Sequence, residues 1–217
     1  MDVAAAIKSF QMFLTIYNLK AAEPEIQEKI GRFPEFWTMT LFSLQTTLFI
    51  SFGRVFDTTR GSLSIQKLVE IAAQHPPLFS RKLLLARKRF ENRIEGDDPQ
   101  WLLDYVRDAW EPTRADFENL RKELGPYCGE FGKIYDPIRN KIYAHRSKED
   151  ETAVYRLFSK TAIGGVQTIL RFVHTLLWAL QEMAYNGRKP DLGNFTDFDR
   201  YVEKLQNETE TFLRRLT

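Results

Sequence analysis

The stretch Asp136-Pro137-Ile138-Arg139-Asn140-Lys141-Ile142-Tyr143-Ala144-His145-Arg146-Ser147 brings a guanidinium, a carboxamide and an imidazole within about two helical turns. An imidazole exchanges protons near neutral pH, a guanidinium offers a planar fork to phosphate oxygens, and a carboxamide orients either group. Together they suit cleavage of a phosphodiester beside a ribose 2′-hydroxyl. That reaction needs a proton acceptor at the hydroxyl, a donor for the departing 5′-oxygen, and positive charge at the phosphorane-like transition state. No metal is required by this scheme. Asp136-Pro137 has the form of a helix start, an N-cap acceptor before a proline, so a short capped helix is expected to carry the set. Arg139 and His145 are six residues apart, about 120° around an ideal helix, so one helix alone would serve a phosphate badly.

The same residues also read as ordinary surface: a solvated Arg139, a polar Asn140, and His145 favourably placed near a negative helix end. The flanking sequence favours chemistry. Arg139, Asn140 and His145, with five residues between Arg and His, resemble the signature of the HEPN superfamily. IRNKIYAHRSK around them, and Gly53-Arg54-Val55-Phe56-Asp57 leading into Ser62-Leu63-Ser64, resemble its abortive-infection, AbiU-like branch. The resemblance implies an α-helical homodimer whose motif helices meet at a cleft, acting as a metal-independent endoribonuclease, a growth-arresting toxin or anti-phage effector. His145 would be the general acid/base, Arg139 the phosphate clamp and Asn140 the orienting residue. The implied partners are RNA, a second copy of the chain, and an antitoxin or another defence protein. HEPN toxins neutralised by nucleotidyltransferases carry a tyrosine two positions after the His; Ser147 stands there, which argues against that neutralisation. Tyr143 reads as packing. HEPN folds also include non-catalytic modules that bind RNA, nucleotides or proteins, and that is the alternative. A metal-free helical enzyme of another class would need a concave site elsewhere.

The remaining sequence must supply the scaffold. The chain has 217 residues, 43 % hydrophobic and 28 % charged, with 17 Phe, enough for a core and unlike a disordered or low-complexity chain. Lys plus Arg number 31 against 29 Asp plus Glu, so any nucleic-acid site is local. The densest cationic run is Arg81, Lys82, Arg87, Lys88, Arg89 and Arg93, within which Lys82, Arg89 and Arg93 share a helical face. Lys82, Lys88, Arg89, Arg93 and Arg146 are the candidate RNA-backbone contacts, with a solvated face as the plainer reading. No cofactor is implied. His75, His145 and His174 are scattered and Cys128 is the lone cysteine, so no metal site is expected, and His174 reads as a partly buried structural residue. The start of the sequence has no secretory pattern, and the uncharged run Phe36–Gly53 carries too many Thr, Ser and Gln for a membrane span; a cytoplasmic protein with no membrane partner is expected.

The punctuation predicts an all-α, HEPN-like helical bundle with additional helices, spanning residues 1–217 as one domain. Helices are expected at Val3–Lys20, briefly after Pro24, from Pro34 towards Asp57, at Ile65–Gln74 and at Ser80–Ile94 with Leu83, Ala86, Phe90 and Ile94 inward. Asp98-Pro99 opens Gln100–Trp110. The next helix carries Phe117, Leu120 and Leu124 inward and is expected to end at Gly125-Pro126, with a turn through Gly129. Glu151–Tyr185 reads as one long helix with Val154, Leu157, Phe158, Thr161, Leu170, Val173, Leu177 and Leu180 inward. A last helix, Asp197–Leu216, would bury Phe198, Tyr201, Val202, Leu205, Phe212 and Leu216, with Thr196 and Asp199 as a capping pair.

Overall fold

The computed structural model describes residues 2–144 and 156–216. Among them every regular element is a helix: α1 Asp2–Ala22, α2 Pro24–Gly31, α3 Pro34–Val55, α4 Ile65–Gln74, a 3₁₀ turn Pro76–Phe79, α5 Arg81–Glu91, α6 Gln100–Asp108, α7 Arg114–Glu130, α8 Asp136–Ile138, α9 Ile163–Asn186 and α10 Thr196–Arg214. Two π-helical segments, Phe131–Tyr135 and Arg139–Ala144, flank α8. The protein is an all-α bundle.

Local chemistry explains the boundaries that the sequence marks. Pro24 and Pro34 occupy the first helical positions, where a missing N–H costs nothing. Ser64 and Ser80 accept hydrogen bonds from the N–H groups of Lys67 and Leu83, opening α4 and α5. Thr113 and Asp116 form a reciprocal capping box at α7. Gly187 closes α9 in the left-handed conformation, φ 59°, which glycine adopts without steric cost.

Helix α1 lies along α3 and α10, and α4 lies along α7. The main core joins Ile7, Phe52, Phe117, Tyr135, Ile169 and Leu176, all fully buried, and a smaller cluster gathers Ile16, Ile26, Ile30, Trp37 and Leu213. Fully burying one such aliphatic or Phe side chain stabilises the fold by about 1.5–3 kcal/mol. Among the described residues α9 is the helix long and apolar enough to cross a bilayer, and half of that window is buried inside the molecule.

Several expectations are corrected. Helical backbone does not stop at Gly125-Pro126 but continues from Arg114 to Ala144, so Asp136-Pro137 lies inside a helical path and opens nothing. Pro126 removes one backbone donor, yet Phe117, Leu120, Leu124, Phe131, Tyr135 and Ile138 form one buried stripe at helical spacing that carries the chain through. The expected helix Glu151–Tyr185 is interrupted: a turn at 159–160 separates residues 156–158 from α9. Gly165 in the first turn of α9 allows close approach, since a Cβ there would stand 2.6 Å from the Tyr135 hydroxyl. Val154 lies outside the described residues.

On α5 the inward residue is Leu84, while Phe90 is 87 % exposed. Asp98 does not cap α6; its carboxylate takes the Arg89 guanidinium, and Pro99 stands at the cap position. Asp199 pairs with Arg171 and Thr196 donates to Asn194, so neither caps α10; on that helix Leu213 is buried and Phe212 exposed.

Candidate functional site

The end of α3 meets the π segment before α8 through stacked rings. Phe56 lies parallel to Phe131 at 4.7 Å between centroids, and Phe52 meets Phe131 edge-on at 5.1 Å. Offset and edge-on aromatic pairs of this kind add about 0.5–1.5 kcal/mol beyond burial. The clamp sets Gly53 against the side chain of Arg139. A Cβ at position 53 would stand 2.7 Å from Nε and 3.0 Å from Cγ of Arg139, so only glycine leaves the guanidinium in this place.

Arg139 belongs to a small polar network on one turn. Its Nη1 donates to Asn140 Oδ1 at 2.6 Å and lies 4.0 Å from Asp136 Oδ1. Asn140 Nδ2 donates to Asp136 Oδ2 at 2.9 Å. Asp136, Arg139 and Asn140 are spaced i, i+3 and i+4, the positions that face one another on a helix. The expected cap residue Asp136 is therefore the anchor of the other two. Arg139 Nε is shielded from solvent and unpartnered within the protein.

These residues line a cavity of about 490 Å³. Its far side is the loop after α3: Asp57 Oδ1 accepts from the Thr59 N–H at 2.8 Å, the Asp57 carbonyl accepts from Ser62 Oγ at 2.6 Å, and Gly61 turns the chain at φ 92°. Hydrogen bonds from Thr59 hold the Asp57 carboxyl below its ordinary range, and the charge of Arg139 acts in the same direction. Gln66 of α4 and Cys128 of α7 complete the wall. Burial raises the Cys128 thiol, so it is not a ready nucleophile. Tyr143 stacks on Phe49 at 4.9 Å, and burial pushes its phenol up to about 12, in keeping with a packing role.

The widened π turn carries Arg139 and Asn140 at the cavity; such insertions in α-helices often accompany functional sites. His145 and Arg146 lie outside the described residues. Lys82, Lys88 and Arg89 are on α5, a separate element that packs on α6 and α9, whereas Arg93 lies past its end at φ 52° and so does not share the helical face expected of it with Lys82 and Arg89. There Lys88 Nζ binds Glu91 at 2.8 Å and Asn186 at 3.0 Å, and Arg89 binds Asp98 at 2.5 Å and the Gly96 carbonyl at 2.8 Å. Among the described residues no partner meets the side chains of Lys82 and Arg93, which therefore remain available cations. His174 packs against Phe198 and Tyr201, and burial lowers its pKa, as fits a structural histidine. Gly53 and Asp57 lie in a stretch that carried the family resemblance without a role for either, Gln66 carried no signal because it reaches the cavity from a separate helix, and Asp136 carried a signal in its spacing to Arg139 and Asn140.

The all-helical bundle with Arg139 and Asn140 on its longest helical path among the described residues agrees with the HEPN-type domain that the resemblance implies. The family model HEPN_AbiU2, described as AbiU2, matches residues 2–212, and the chain belongs to that family. It is thus an abortive-infection-related HEPN module. Comparison with curated proteins and with solved structures returned no match.

Proposed function

We infer that the protein is a metal-independent endoribonuclease of HEPN type, acting in the cytoplasm as a toxin or anti-phage effector. The observation that carries this reading is the fixed Arg139 guanidinium: glycine at position 53 admits it, Asn140 and Asp136 orient it, and a cavity large enough for a nucleotide-sized group opens beside it. Preorganised donors of this kind stabilise a transition state without reorganising during the reaction.

In the proposed step the ribose 2′-oxygen bonds to phosphorus as its proton passes to one His145. The bond from phosphorus to the 5′-oxygen breaks, and that oxygen takes a proton from a second imidazole. Arg139 bears on the phosphate oxygens. One cavity holds Arg139 against the carboxylates of Asp57 and Asp136, so a single copy supplies little net positive charge. A second copy of the motif, with His145 and Arg146 from both chains, supplies the second imidazole and the missing charge. Dimerisation is thus part of the mechanism.

The test is RNA cleavage in EDTA by the wild type, Arg139→Ala and His145→Ala at matched dimer content. Both variants should lose at least about 100-fold in rate while remaining folded dimers. Absence of wild-type cleavage on structured and single-stranded RNAs would favour the binding-module alternative, and wild-type-like cleavage by both variants would remove the site from this motif.

A further inference from the structure

The loop between α3 and α4 borders two cavities, the one beside Arg139 and a second of about 450 Å³. Asp57, Thr58, Thr59 and Gln66 line both, so the two spaces adjoin along the loop. Three cations line this pair of spaces, and their states differ. Arg139 is bonded to Asn140 beside Asp136. Lys67 pairs with one oxygen of Glu70 at 3.1 Å, while the Gln74 side-chain N–H donates to the other at 3.1 Å. The side chain of Arg60 meets no partner among the described residues.

Local chemistry holds Arg60 in place. The chain from Thr59 to Ser62 turns tightly, closed by the Ser62 N–H donating to the Thr59 carbonyl at 3.0 Å. Gly61 is third of the four with φ 92°, which a type II turn requires and a side chain resists. The carboxylate and carbonyl of Asp57 accept from the Thr59 N–H and Ser62 Oγ, and so tie the turn to the end of α3. Thr59 lines both cavities and precedes Arg60; adjacent Cα atoms are about 3.8 Å apart, so the Arg60 side chain starts at the border of the two spaces. Neither carboxylate of the second cavity occupies it, since Glu70 is matched by Lys67 and Asp57 is bonded within the loop. A planar guanidinium left free in this way can take two oxygens of one phosphate.

An RNA strand carries a phosphate at every nucleotide, so a strand with one phosphate at Arg139 must place the next nearby. The first cavity sets two carboxylates, Asp57 and Asp136, against its one guanidinium and does not favour a second phosphate. Arg60 is the free cation on the surface that continues from it. We propose that Arg60 binds the phosphate adjoining the one at Arg139, so that the strand runs over the loop between α3 and α4 from one cavity to the other. The proposal rests on the ribonuclease reading for the nature of the strand and adds to it a residue that sets the strand's path.

The experiment measures binding of a 2′-O-methyl decauridylate in EDTA, by fluorescence anisotropy over a range of salt, to the wild type, Arg60→Gln, Arg60→Lys and Arg215→Gln. Arg215 removes an equal charge at the end of α10, where Arg214 binds Glu23, remote from the Asp2 end of α1 that meets Arg54. Thermal melts accompany each variant, and Arg60→Gln should melt with the wild type because the side chain holds nothing in the fold. At low salt Arg60→Gln should bind about three- to fivefold more weakly. Its slope of log affinity against log salt should be shallower by about 0.7, the value for one phosphate of a single strand. Arg60→Lys, which keeps the charge, should retain the wild-type slope, as should Arg215→Gln. A wild type that does not bind the strand overturns the proposal, as does an unchanged slope in Arg60→Gln or an equal change in Arg215→Gln. The methylated strand cannot be cut, so the two readings separate. An Arg60-dependent slope without cleavage of unmodified RNA keeps the strand path and removes the ribonuclease, and cleavage with an unchanged slope does the reverse.

Discussion

The run Arg81–Arg93, on α5 and just past its end, carries six cations in thirteen residues, whereas the cavity at the end of α3 holds one, Arg139. On α5 most of that charge is occupied: Arg81 bonds the Ala109 carbonyl at 2.9 Å, Arg87 the Leu78 carbonyl at 3.0 Å, Lys88 reaches Glu91 and Asn186, and Arg89 reaches Asp98 and Gly96. These contacts fasten α5 to its neighbours. Arg139 is held too, but by residues of its own turn, and it is held against an open space. Density of charge therefore says less about function than the identity of the partners.

Mutations can sharpen that contrast. The largest effect expected, short of removing the motif itself, is from Gly53→Ala. Its Cβ occupies the place of the Arg139 side chain, and cleavage should fall about 10- to 100-fold with the helical circular-dichroism signal unchanged, since misplacement by about 1 Å can cost 100-fold. Unchanged cleavage would mean that the position of Arg139 is immaterial. Next comes Arg89→Ala, which breaks a partly buried charged contact worth about 1 kcal/mol, lowering the melting temperature by roughly 2–4 °C for a domain of this size. Its cleavage rate per folded molecule should remain that of the wild type; a large loss of rate would return α5 to the site.

A smaller effect belongs to His174, whose pKa is lowered by burial, with Asp197 opposing. The unfolded chain therefore binds this proton more readily than the folded one. The contribution is fully present above the ordinary value of 6.5 and is lost as pH falls through the lowered folded value. Melting curves between pH 8 and 5 should decline less steeply for His174→Phe than for the wild type, and identical slopes would contradict the assignment. Smallest is the change from Lys82→Ala with Arg93→Ala. If both touch RNA backbone, the slope of log affinity against log salt should become shallower by about 1.4–1.8 with little change in cleavage rate at low salt.

The contrast also explains what the sequence could reveal. Proline at Pro24 and Pro34, serine caps at Ser64 and Ser80, and glycine at Gly187 act within a few residues of where they stand, and the corresponding boundaries were legible. Gly125-Pro126 looked like the same kind of signal. There the longer-range stripe Leu124, Phe131, Tyr135 and Ile138 prevailed, because burying four large side chains outweighs one missing N–H and a flexible glycine. That misplaced boundary turned the Asp136 carboxylate, the partner of Asn140, into an apparent helix cap. Arg139 and Asn140 were legible from their motif, whereas the cavity was not. Gly53, Asp57, Gln66 and Gly129 lie on four elements or loops, and the Phe56–Phe131 clamp together with the packing of α4 along α7 brings them to one place. The cations of α5 were legible as charge, but their partners Asp98 and Asn186 come from outside the run.

The most direct test of the central claim compares Arg139→Ala with Lys82→Ala/Arg93→Ala in one RNA cleavage assay containing EDTA, at low salt and equal dimer concentration. The account expects Arg139→Ala to lose at least about 100-fold in rate and the double variant to stay within a few-fold of the wild type. Equal rates for Arg139→Ala and the wild type, with a collapse in the double variant, would contradict it and move the functional surface to α5.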